Sequence, residues 1–447
     1  MQKKWKAKAH VILVLVVVSS LMAGLAGAAM AQTTLVWWTH QRHDMDFMQE
    51  LVKEFNDTNT YGIKIEYNIM AENYRQNLEL AFQSRQAPDI FSVASDTRYL
   101  ADRNMALPLN TYLNEDMQVR FAGLLEVDHI NSYNGHLYSL PNVGNPYRLI
   151  YNKDLFAKAG ITSPPTNLEE MVEYAKQITS AAKNEQAYGF ALNLKAPQSA
   201  LNRSFDQVAM MSNLFPYDFA TGRYDFERIR PIILSFKQLV VDGSTFPGIE
   251  SLDIDPMRAQ FAQGKIGMYM SADWEIGVYA NQFTTDVNWA AAPIPTVTGS
   301  ELGRSNINGA GKWLAISTQS KHPDLAWKVM EWFHRNEVLV KYHELGLGMS
   351  VVPSVLEIAN DSSRQGSEFF KVDPTAEFVW PFAPHQIGLA IEGRTYYDVI
   401  AAVMFGAMDL DRGIQDLNRR YNDALDRAVS RGTIERIIIE DFDPANL

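Results

Sequence analysis

The stretch that decides the fold lies near the start of the chain, where residues 35–39 read LVWWT and residues 90–94 read IFSVA. Between them, residues 63–69 read IKIEYNI, with apolar side chains at every second position. Two intervening segments, Met48 to Phe55 and Tyr74 to Phe82, have apolar residues at helical spacing. This order of strand, helix, strand, helix and strand predicts an open α/β sheet with crossover helices. Ligands of such sheets bind beyond the carboxyl ends of the strands.

A second α/β unit is predicted farther along the chain. It begins with YRLIYN at residues 147–152, which precedes a helix-forming segment. A later helix ends at Gly264, and the strand Ile266–Met270 leads into a turn that presents Trp274. Further helical patterns follow from Pro323 onward. Two α/β units followed by more helices predict two lobes.

The composition excludes several classes of protein. The chain has 447 residues and no cysteine, so disulfide scaffolds, thiolate metal sites, cysteine nucleophiles and Cys-anchored lipoproteins are excluded. Lys and Arg number 40 against 52 Asp and Glu, for a net charge of -12. Because nucleic-acid affinity depends on neutralising phosphates, we expect no nucleic-acid partner. The 47% hydrophobic content is typical of a globular protein with a sizeable core.

The first 31 residues have the three parts of a secretory signal. Lysines between Lys3 and Lys8 precede the apolar run Val11–Val18, and Ala29 and Ala31 form a small-x-small cleavage site. The apolar run is far shorter than the ~20 residues that span a bilayer. We therefore expect residues 1–31 to be a signal peptide, with the mature chain exported to the periplasm.

Enzyme motifs are absent from the sequence. It has no G-x-S-x-G, no phosphate-binding glycine loop, no G-x-G-x-x-G and no H-E-x-x-H. His40 and His43 could share a metal, and Tyr396 and Tyr397 could ligate ferric iron, but solvated or core side chains are the commoner explanation of both pairs. Paired carboxylates for glycoside hydrolysis have no diagnostic spacing and stay open. We expect no catalytic residue, no metal and no cofactor.

The tryptophans are more informative. Trp37, Trp38, Trp274 and Trp313 lie at predicted strand ends or in glycine-flanked turns, outside helical stripes. An aromatic face stacks well on the apolar face of a pyranose ring, and neighbouring polar groups can bind its hydroxyls. Each of the four could equally be a core residue, because tryptophan is highly buried on average.

An ordered set of motifs covers most of the chain. Along the sequence they read LVWWTH, KEFNDTN, APDIFSVASDTRYLADRNMALPL, LYSLPNVGNPYRLIYNKDLFAKAGI, FAQGKIGMYMSADWEI, NINGAGKWLAIS and GLGMSVVPS. In order and spacing this set resembles the extracellular solute-binding proteins of ABC importers, in particular the large sugar-binding group that includes the maltose-binding proteins.

The resemblance implies the two-lobed periplasmic binding protein fold of type II, in which two open α/β sheets are joined by hinge-crossing segments. The N-terminal lobe would comprise residues 32–142 and 296–350, and the C-terminal lobe residues 143–295 and 351–447. The crossings would lie near Leu140–Asn145, Pro293–Pro295 and Gly346–Pro353.

The resemblance also implies ligand-binding positions in the cleft between the lobes. Asp96 matches the acid that typically binds sugar hydroxyls, and Trp274 matches the stacking tryptophan of the family. Asn145 stands where the maltose binder has an acid, which argues against maltose itself. The full set of expected ligand-binding residues is Trp38, His40, Gln41, Arg42, Asp96, Asn145, Tyr147, Arg148, Trp274, Asn308, Gly309 and Trp313.

The function implied is a periplasmic carbohydrate-binding receptor of an ABC importer, without catalysis. Its partners would be a sugar or oligosaccharide and the permease subunits, and the protein would act as a monomer. One alternative is a secreted glycoside hydrolase or lyase. Another is a receptor for a different solute, such as a polyol, glycerol phosphate, polyamine or metal. A phosphate site should show clustered basic residues, and a polyamine site extra carboxylates beside aromatics.

We predict that the exported protein begins at Gln32 or within a few residues of it, because Ala29 and Ala31 provide the small side chains that signal cleavage requires. N-terminal sequencing of the protein purified from a periplasmic extract is the measurement. An intact chain starting at Met1 and recovered from the membrane fraction would contradict the prediction.

Overall fold

The computed structural model describes residues 32–94, 97–125, 130–300, 303, 305–306, 313–360, 365–370, 377–378 and 380–444. The predicted signal peptide, residues 1–31, lies outside this range, as do the expected ligand-binding residues Asp96, Asn308 and Gly309. Among the described helices, none combines the length and apolar character needed to cross a bilayer.

The strands and helices alternate along much of the chain. The strands are β1 Thr33–Thr39, β2 Ile63–Ile69, β3 Ile90–Ser92, β4 Ser132–Tyr133, β5 His136–Leu137, β6 Tyr147–Asn152, β7 Tyr188–Phe190, β8 Tyr217–Asp218, β9 Arg223–Tyr224, β10 Ile266–Ala272, β11 Trp289–Ala292, β12 Ser305–Asn306, β13 Leu314–Ile316 and β14 Glu377–Phe378. The helices are α1 Met45–Thr58, α2 Tyr74–Gln83, α3 Thr97–Asp102, α4 Glu115–Arg120, α5 Lys153–Lys158, α6 Leu168–Ala181, α7 Pro197–Arg203, α8 Phe205–Met211, α9 Arg230–Val241, α10 Ile254–Ala262, α11 Glu275–Gly277, α12 Pro323–Phe333, α13 Asn336–Glu344, α14 Pro353–Leu356, α15 Tyr396–Met404 and α16 Leu410–Ser430.

The first sheet has the strand order β13-β3-β1-β2. Strand β1 pairs in parallel with β2 and β3, and β13 pairs antiparallel with β3. In the LVWWT segment the side chains alternate, so Leu35 and Trp37 are buried. The Trp37 ring makes edge contacts with Tyr67 and Phe333, with centroids 5.1 and 4.9 Å away. The α/β order predicted from this stretch is confirmed, and we call this sheet with its covering helices the first unit.

The second sheet has the strand order β11-β6-β10-β7. Strand β6 is antiparallel to both β10 and β11, and β10 is parallel to β7. Gly264 ends the preceding helix with a φ of 73°, a left-handed conformation that glycine adopts without strain. We call this sheet and the helices around it the second unit; α16 packs Leu417, Tyr421 and Leu425 into its core.

Two chain segments run side by side between the units. Val143 forms a β-bridge with Ser350, and the Gly144 amide donates to the Met349 carbonyl at 2.8 Å. The Val351 amide donates back to the Asn142 carbonyl at 3.1 Å. Two of the three expected crossings are therefore hydrogen-bonded to each other.

Contacts near two expected lobe boundaries involve residues just beyond them. The backbone amide of Thr296 donates to the Thr166 carbonyl, and that of Val297 donates to the Ser212 hydroxyl, so both residues contact the second unit. Val352 and Val355 are buried in the core of the first unit. The lobe boundaries that the resemblance implies stay a prediction.

A buried carboxylate links the second unit to one of the paired segments. Asp273 follows β10, is fully buried, and its Oδ2 accepts a hydrogen bond from the Met349 amide. Burial raises the pKa of Asp273 to about 7, although the amides of Met349 and Trp274 and the charge of Arg148 oppose the rise.

We predict that Asp273→Asn stabilises the protein increasingly as the pH rises from about 4 to about 7. The unfolded carboxyl has a pKa of about 4 and loses its proton over a range in which the folded carboxyl keeps it, so wild-type stability falls across this window. Asparagine keeps a carbonyl oxygen for the Met349 amide and carries no charge. At pH 8 we expect a gain of about 1 to 3 kcal/mol in unfolding free energy, measured by denaturant titration.

The exposed carboxylate Asp423 provides the control for the change in net charge, because Asp423→Asn removes the same carboxylate from the protein surface. A pH-independent effect of Asp273→Asn would contradict the prediction.

Candidate functional site

A cavity of about 350 Å³ lies between the two units, which is within the size range of small-molecule sites. We call it the central cavity. It is lined by residues of both units and of the paired segments, namely His40, Gln41, Arg42, His43, Val93, Val143, Asn145, Arg258, Trp274, Val278, Gln282, Trp313 and Leu347. The structure thus brings together six of the residues expected to bind ligand: His40, Gln41, Arg42, Asn145, Trp274 and Trp313.

The wall from the first unit is built at the end of β1. The His40 ring packs against Tyr74, with centroids 4.9 Å apart. The backbone amide of Gln41 donates to the Thr39 hydroxyl at 3.1 Å, which fixes the turn after the strand. The Gln41 Oε1 accepts the indole N–H of Trp313 at 3.2 Å. The polar loop after β1 is therefore held by one hydrogen bond to the end of the strand and by another to Trp313.

The wall from the second unit presents Trp274 in the turn after β10. Its ring is only partly buried, and its indole N–H donates to Oε1 of Glu275 at 3.0 Å. Tyr147 makes an edge contact with it, with ring centroids 6.2 Å apart and planes at 87°. The indole is therefore fixed in orientation by a hydrogen bond and a ring contact.

Glu275 is fully buried and gathers several donors. The Arg258 guanidinium donates to it through Nη2 at 2.6 Å and through Nε at 3.0 Å, and the Ser271 hydroxyl donates at 2.8 Å. Burial alone would raise the pKa of Glu275, but the charge and hydrogen bonds of Arg258 lower it. Glu275 is therefore a buried anion that positions both Arg258 and Trp274 in the cavity wall.

An ion pair bridges the two units beside the cavity. Arg42 Nη2 lies 2.7 Å from Oδ2 of Asp255, and Asp255 Oδ1 lies 3.2 Å from Nη1 of Arg258. A chain of alternating charges thus runs from the first unit to Glu275 in the second. The Arg42 and Asp255 side chains are 45% and 31% exposed, so salt weakens this link.

Residues 39–338 match the family model of bacterial extracellular solute-binding proteins. The chain belongs to this family. The sn-glycerol-3-phosphate-binding periplasmic protein UgpB of Brucella melitensis is 31% identical over 376 residues, which are 79% of this chain and 81% of that protein. The maltotriose-binding protein of Pyrococcus abyssi is 22% identical over 340 residues, which are 73% of this chain and 67% of that protein.

Solved structures agree on the fold. The GacH receptor of Streptomyces glaucescens superposes with a TM-score of 0.71 at 20% identity, over 88% of this chain and 99% of that one. This solute-binding protein therefore has the two-lobed periplasmic binding protein fold of type II, as the sequence predicted.

Three expected ligand-binding residues of this solute-binding protein do not line the central cavity. Trp38 packs beside the cluster formed by Tyr74 and its neighbours. Tyr147 contacts the ring of Trp274 and so supports the wall from behind. Arg148 is 5% exposed, and its guanidinium donates to the Tyr147 carbonyl at 2.9 Å. Their direct contact with a ligand stays a prediction.

Several cavity residues were missed by the sequence analysis. Arg258 and Gln282 have no distinguishing local pattern, since one lies in an amphipathic helix and the other in a short π-helical turn. His43 was considered only as a metal ligand. Its Nε2 lies 2.9 Å from the Leu347 carbonyl and 3.2 Å from the Tyr342 hydroxyl, so it ties α13 and the segment after it to the loop after β1.

The tandem tyrosines share a buried carboxylate. The hydroxyl of Tyr396 lies 2.8 Å from Oδ2 of Asp206, and that of Tyr397 lies 2.7 Å from the same oxygen. Burial raises the pKa of Asp206 to about 6, against the effect of these two hydroxyls. Within the described part of the chain, no group of three or more His, Cys, Asp or Glu side chains is arranged to hold a metal ion.

We predict that Trp274→Ala weakens solute binding by about 1 to 3 kcal/mol, the usual loss for a desolvated aromatic anchor. Calorimetry with the tightest-binding solute from a thermal-shift screen is the measurement. Trp274→Phe is the matched control, because it keeps a smaller aromatic face while it loses the N–H bond to Glu275, and we expect a smaller loss of affinity. Unchanged affinity in a folded Trp274→Ala variant would mean that the ring is only a packing element.

Proposed function

We propose that this solute-binding protein captures a carbohydrate in the central cavity and delivers it to the membrane subunits of an ABC importer. The observation that carries the proposal is the partly buried Trp274 ring, held by Glu275 in the cavity wall. His40, Gln41 and Asn145 line the same cavity. An apolar ring face beside several hydrogen-bonding groups is what a sugar ring requires, because its faces are apolar and its rim carries hydroxyls.

The names of similar proteins support a carbohydrate ligand. The Pyrococcus relative is named for maltotriose, and the GacH receptor was crystallised with acarbose. A second candidate is a phosphorylated polyol, favoured by the Brucella relative that is named for glycerol 3-phosphate. Both candidates are small polar solutes that would bind in the same cleft.

The central cavity is better suited to binding a carbohydrate than to hydrolysing it. Glycoside hydrolysis requires two carboxylates flanking the scissile bond. The described residues that line the central cavity include no Asp or Glu. Glu275 lies behind the wall and is occupied by Arg258, Ser271 and Trp274.

The lobes of the proposed receptor correspond to the two units. The contacts of Thr296 and Val297 support a C-terminal lobe that extends past residue 295, and the burial of Val352 and Val355 supports an N-terminal lobe that extends past residue 350. We propose that the receptor acts as a monomer in the periplasm, where it meets the permease subunits.

Closure of the lobes would signal that the receptor is loaded. Trp274 and Gln41 approach the cavity from different units, so a ligand that contacts both makes its full set of contacts only when the cleft is shut. The ion pair between Arg42 and Asp255 also joins the two units, and it too forms only when the cavity walls are close together.

A solute panel tests the function directly. Thermal-shift measurements with mono- and oligosaccharides, polyols and polyamines should reveal a class that raises the melting temperature, since a ligand of the folded state stabilises it by mass action. The same mixtures are then analysed for released products. Cleaved glycans would favour an enzyme, and the absence of any stabilising carbohydrate would contradict the proposed ligand.

We predict that the radius of gyration falls when the binding carbohydrate is added. Shifting the lobes from about 1% to about 99% closed needs roughly 5.5 kcal/mol of preference for the closed form, which several hydroxyl hydrogen bonds and one stacked ring can supply. Small-angle scattering with and without the sugar is the measurement, with a non-binding sugar from the same panel as control. Tight binding with an unchanged scattering curve would contradict closure on the ligand.

A further inference from the structure

A second cavity, of about 710 Å³, lies between the same two units. It is separate from the central cavity but adjoins it, because Val93 lines one and the next residue, Ala94, lines the other. The first unit contributes Arg75, Arg98 and Arg103 to its wall. We call it the basic cavity.

The positive charge of the basic cavity is only partly neutralised. Its described lining has one carboxylate, Asp102, which lies 3.2 Å from Nε of Arg98. Arg75 is 3.5 Å from Glu79, an ion pair at the long end of the range. For Arg103, the described residues provide no carboxylate within 4 Å. Three guanidinium groups therefore meet at one cavity of a chain whose net charge is -12.

Two of the guanidinium groups are held in place by one ring. Arg75 lies 4.3 Å and Arg103 lies 3.8 Å from the centroid of the Tyr99 ring. Stacking on an aromatic face orients a guanidinium and leaves its in-plane N–H groups available to an acceptor. Arg103 is thus oriented without being neutralised.

The opposite wall comes from the second unit and offers further hydrogen-bonding groups. The side chains of Gln198, Asn202 and His385 line it. The Nε2 atom of His385 is buried and has no hydrogen-bond partner among the described residues, while Nδ1 lies 3.0 Å from the Tyr224 hydroxyl. Burial lowers the pKa of His385 to about 3, so its ring is neutral at physiological pH. Arg98 reaches across to the Ile387 carbonyl at 3.0 Å, which makes the cavity a junction between the units.

We propose that the basic cavity binds an anionic group of the captured solute, a carboxylate or a phosphate, whose remaining hydroxylated part occupies the central cavity. Planar guanidinium groups match both anions through paired hydrogen bonds, and an anion supplies the missing countercharge of Arg103. The inference rests on the proposed function and narrows its ligand to an acidic saccharide or a sugar or polyol phosphate.

The test compares charged and neutral probes of matched size by calorimetry. Digalacturonate and trigalacturonate carry carboxylates, sn-glycerol 3-phosphate and glucose 1-phosphate carry phosphate, and maltose and maltotriose are neutral. We expect one anionic class to bind at least tenfold tighter than the neutral sugars, and its affinity to fall as salt is raised. Which class binds identifies the source of the anion.

The variant Arg103→Gln should weaken binding of that anionic probe at least tenfold and leave binding of neutral sugars unchanged. Arg335→Gln is the matched control, because this guanidinium also stacks on a ring, 4.0 Å from the centroid of Trp332, and lines neither cavity. Both variants remove a surface cation–π contact, so a difference between them reports on the ligand and not on stability.

The outcomes separate the two proposals. Neutral sugars binding tighter than every anionic probe, with Arg103→Gln equal to Arg335→Gln, would overturn the anion site and leave carbohydrate capture standing. Binding of sn-glycerol 3-phosphate alone, lost in Arg103→Gln, would support the anion site and contradict carbohydrate capture. Binding of none of the anionic probes would overturn the anion site, and the solute panel then decides carbohydrate capture independently.

Discussion

The binding cleft depends on the hydrogen bonds and the ion pair that compensate the buried carboxylate of Glu275. A fully buried anion is tolerated only when hydrogen bonds and an opposite charge compensate it. Glu275 obtains these from Arg258 on α10, Ser271 on β10 and the indole of Trp274 in the following turn. Satisfying one charge therefore fixes a helix, a strand and a turn relative to one another. Asp255 extends the same network to Arg42, so an ion pair also joins the second unit to the first unit across the cleft.

The sequence predicted the fold well because its signals are local. Apolar residues alternate in residues 63–69, and LVWWT is largely apolar. Both patterns predicted strands, and the pairing of β1 with β2 confirms them. The position of Trp274 in a turn after an apolar strand was predicted for the same reason, and the structure places this turn in the cavity wall. Glu275 was missed because an acid in a turn normally faces solvent. Only the fold shows that Arg258, far from it in sequence, removes it from water.

The lobe boundaries and the basic cavity also depend on contacts that the sequence does not reveal. The hydrogen bond from the Val297 backbone amide to the Ser212 hydroxyl leaves no mark in the sequence, yet it joins the stretch after Pro295 to the second unit. Arg75 lies on an exposed face of α2 and Arg103 directly after α3, and neither position is distinctive in the sequence. Their charge becomes meaningful only when Tyr99 gathers them at one cavity opposite Gln198 and Asn202.

The antiparallel pairing of β3 with β13 has a consequence for how the chain folds. Ser92 pairs with Leu314, and the whole second sheet lies between them in the chain. During synthesis the outer edge of β3 thus stays without its partner until the chain has reached residue 314 of 447. Contacts between such distant residues make folding slow. The first sheet therefore cannot be completed before the whole second sheet has been synthesised.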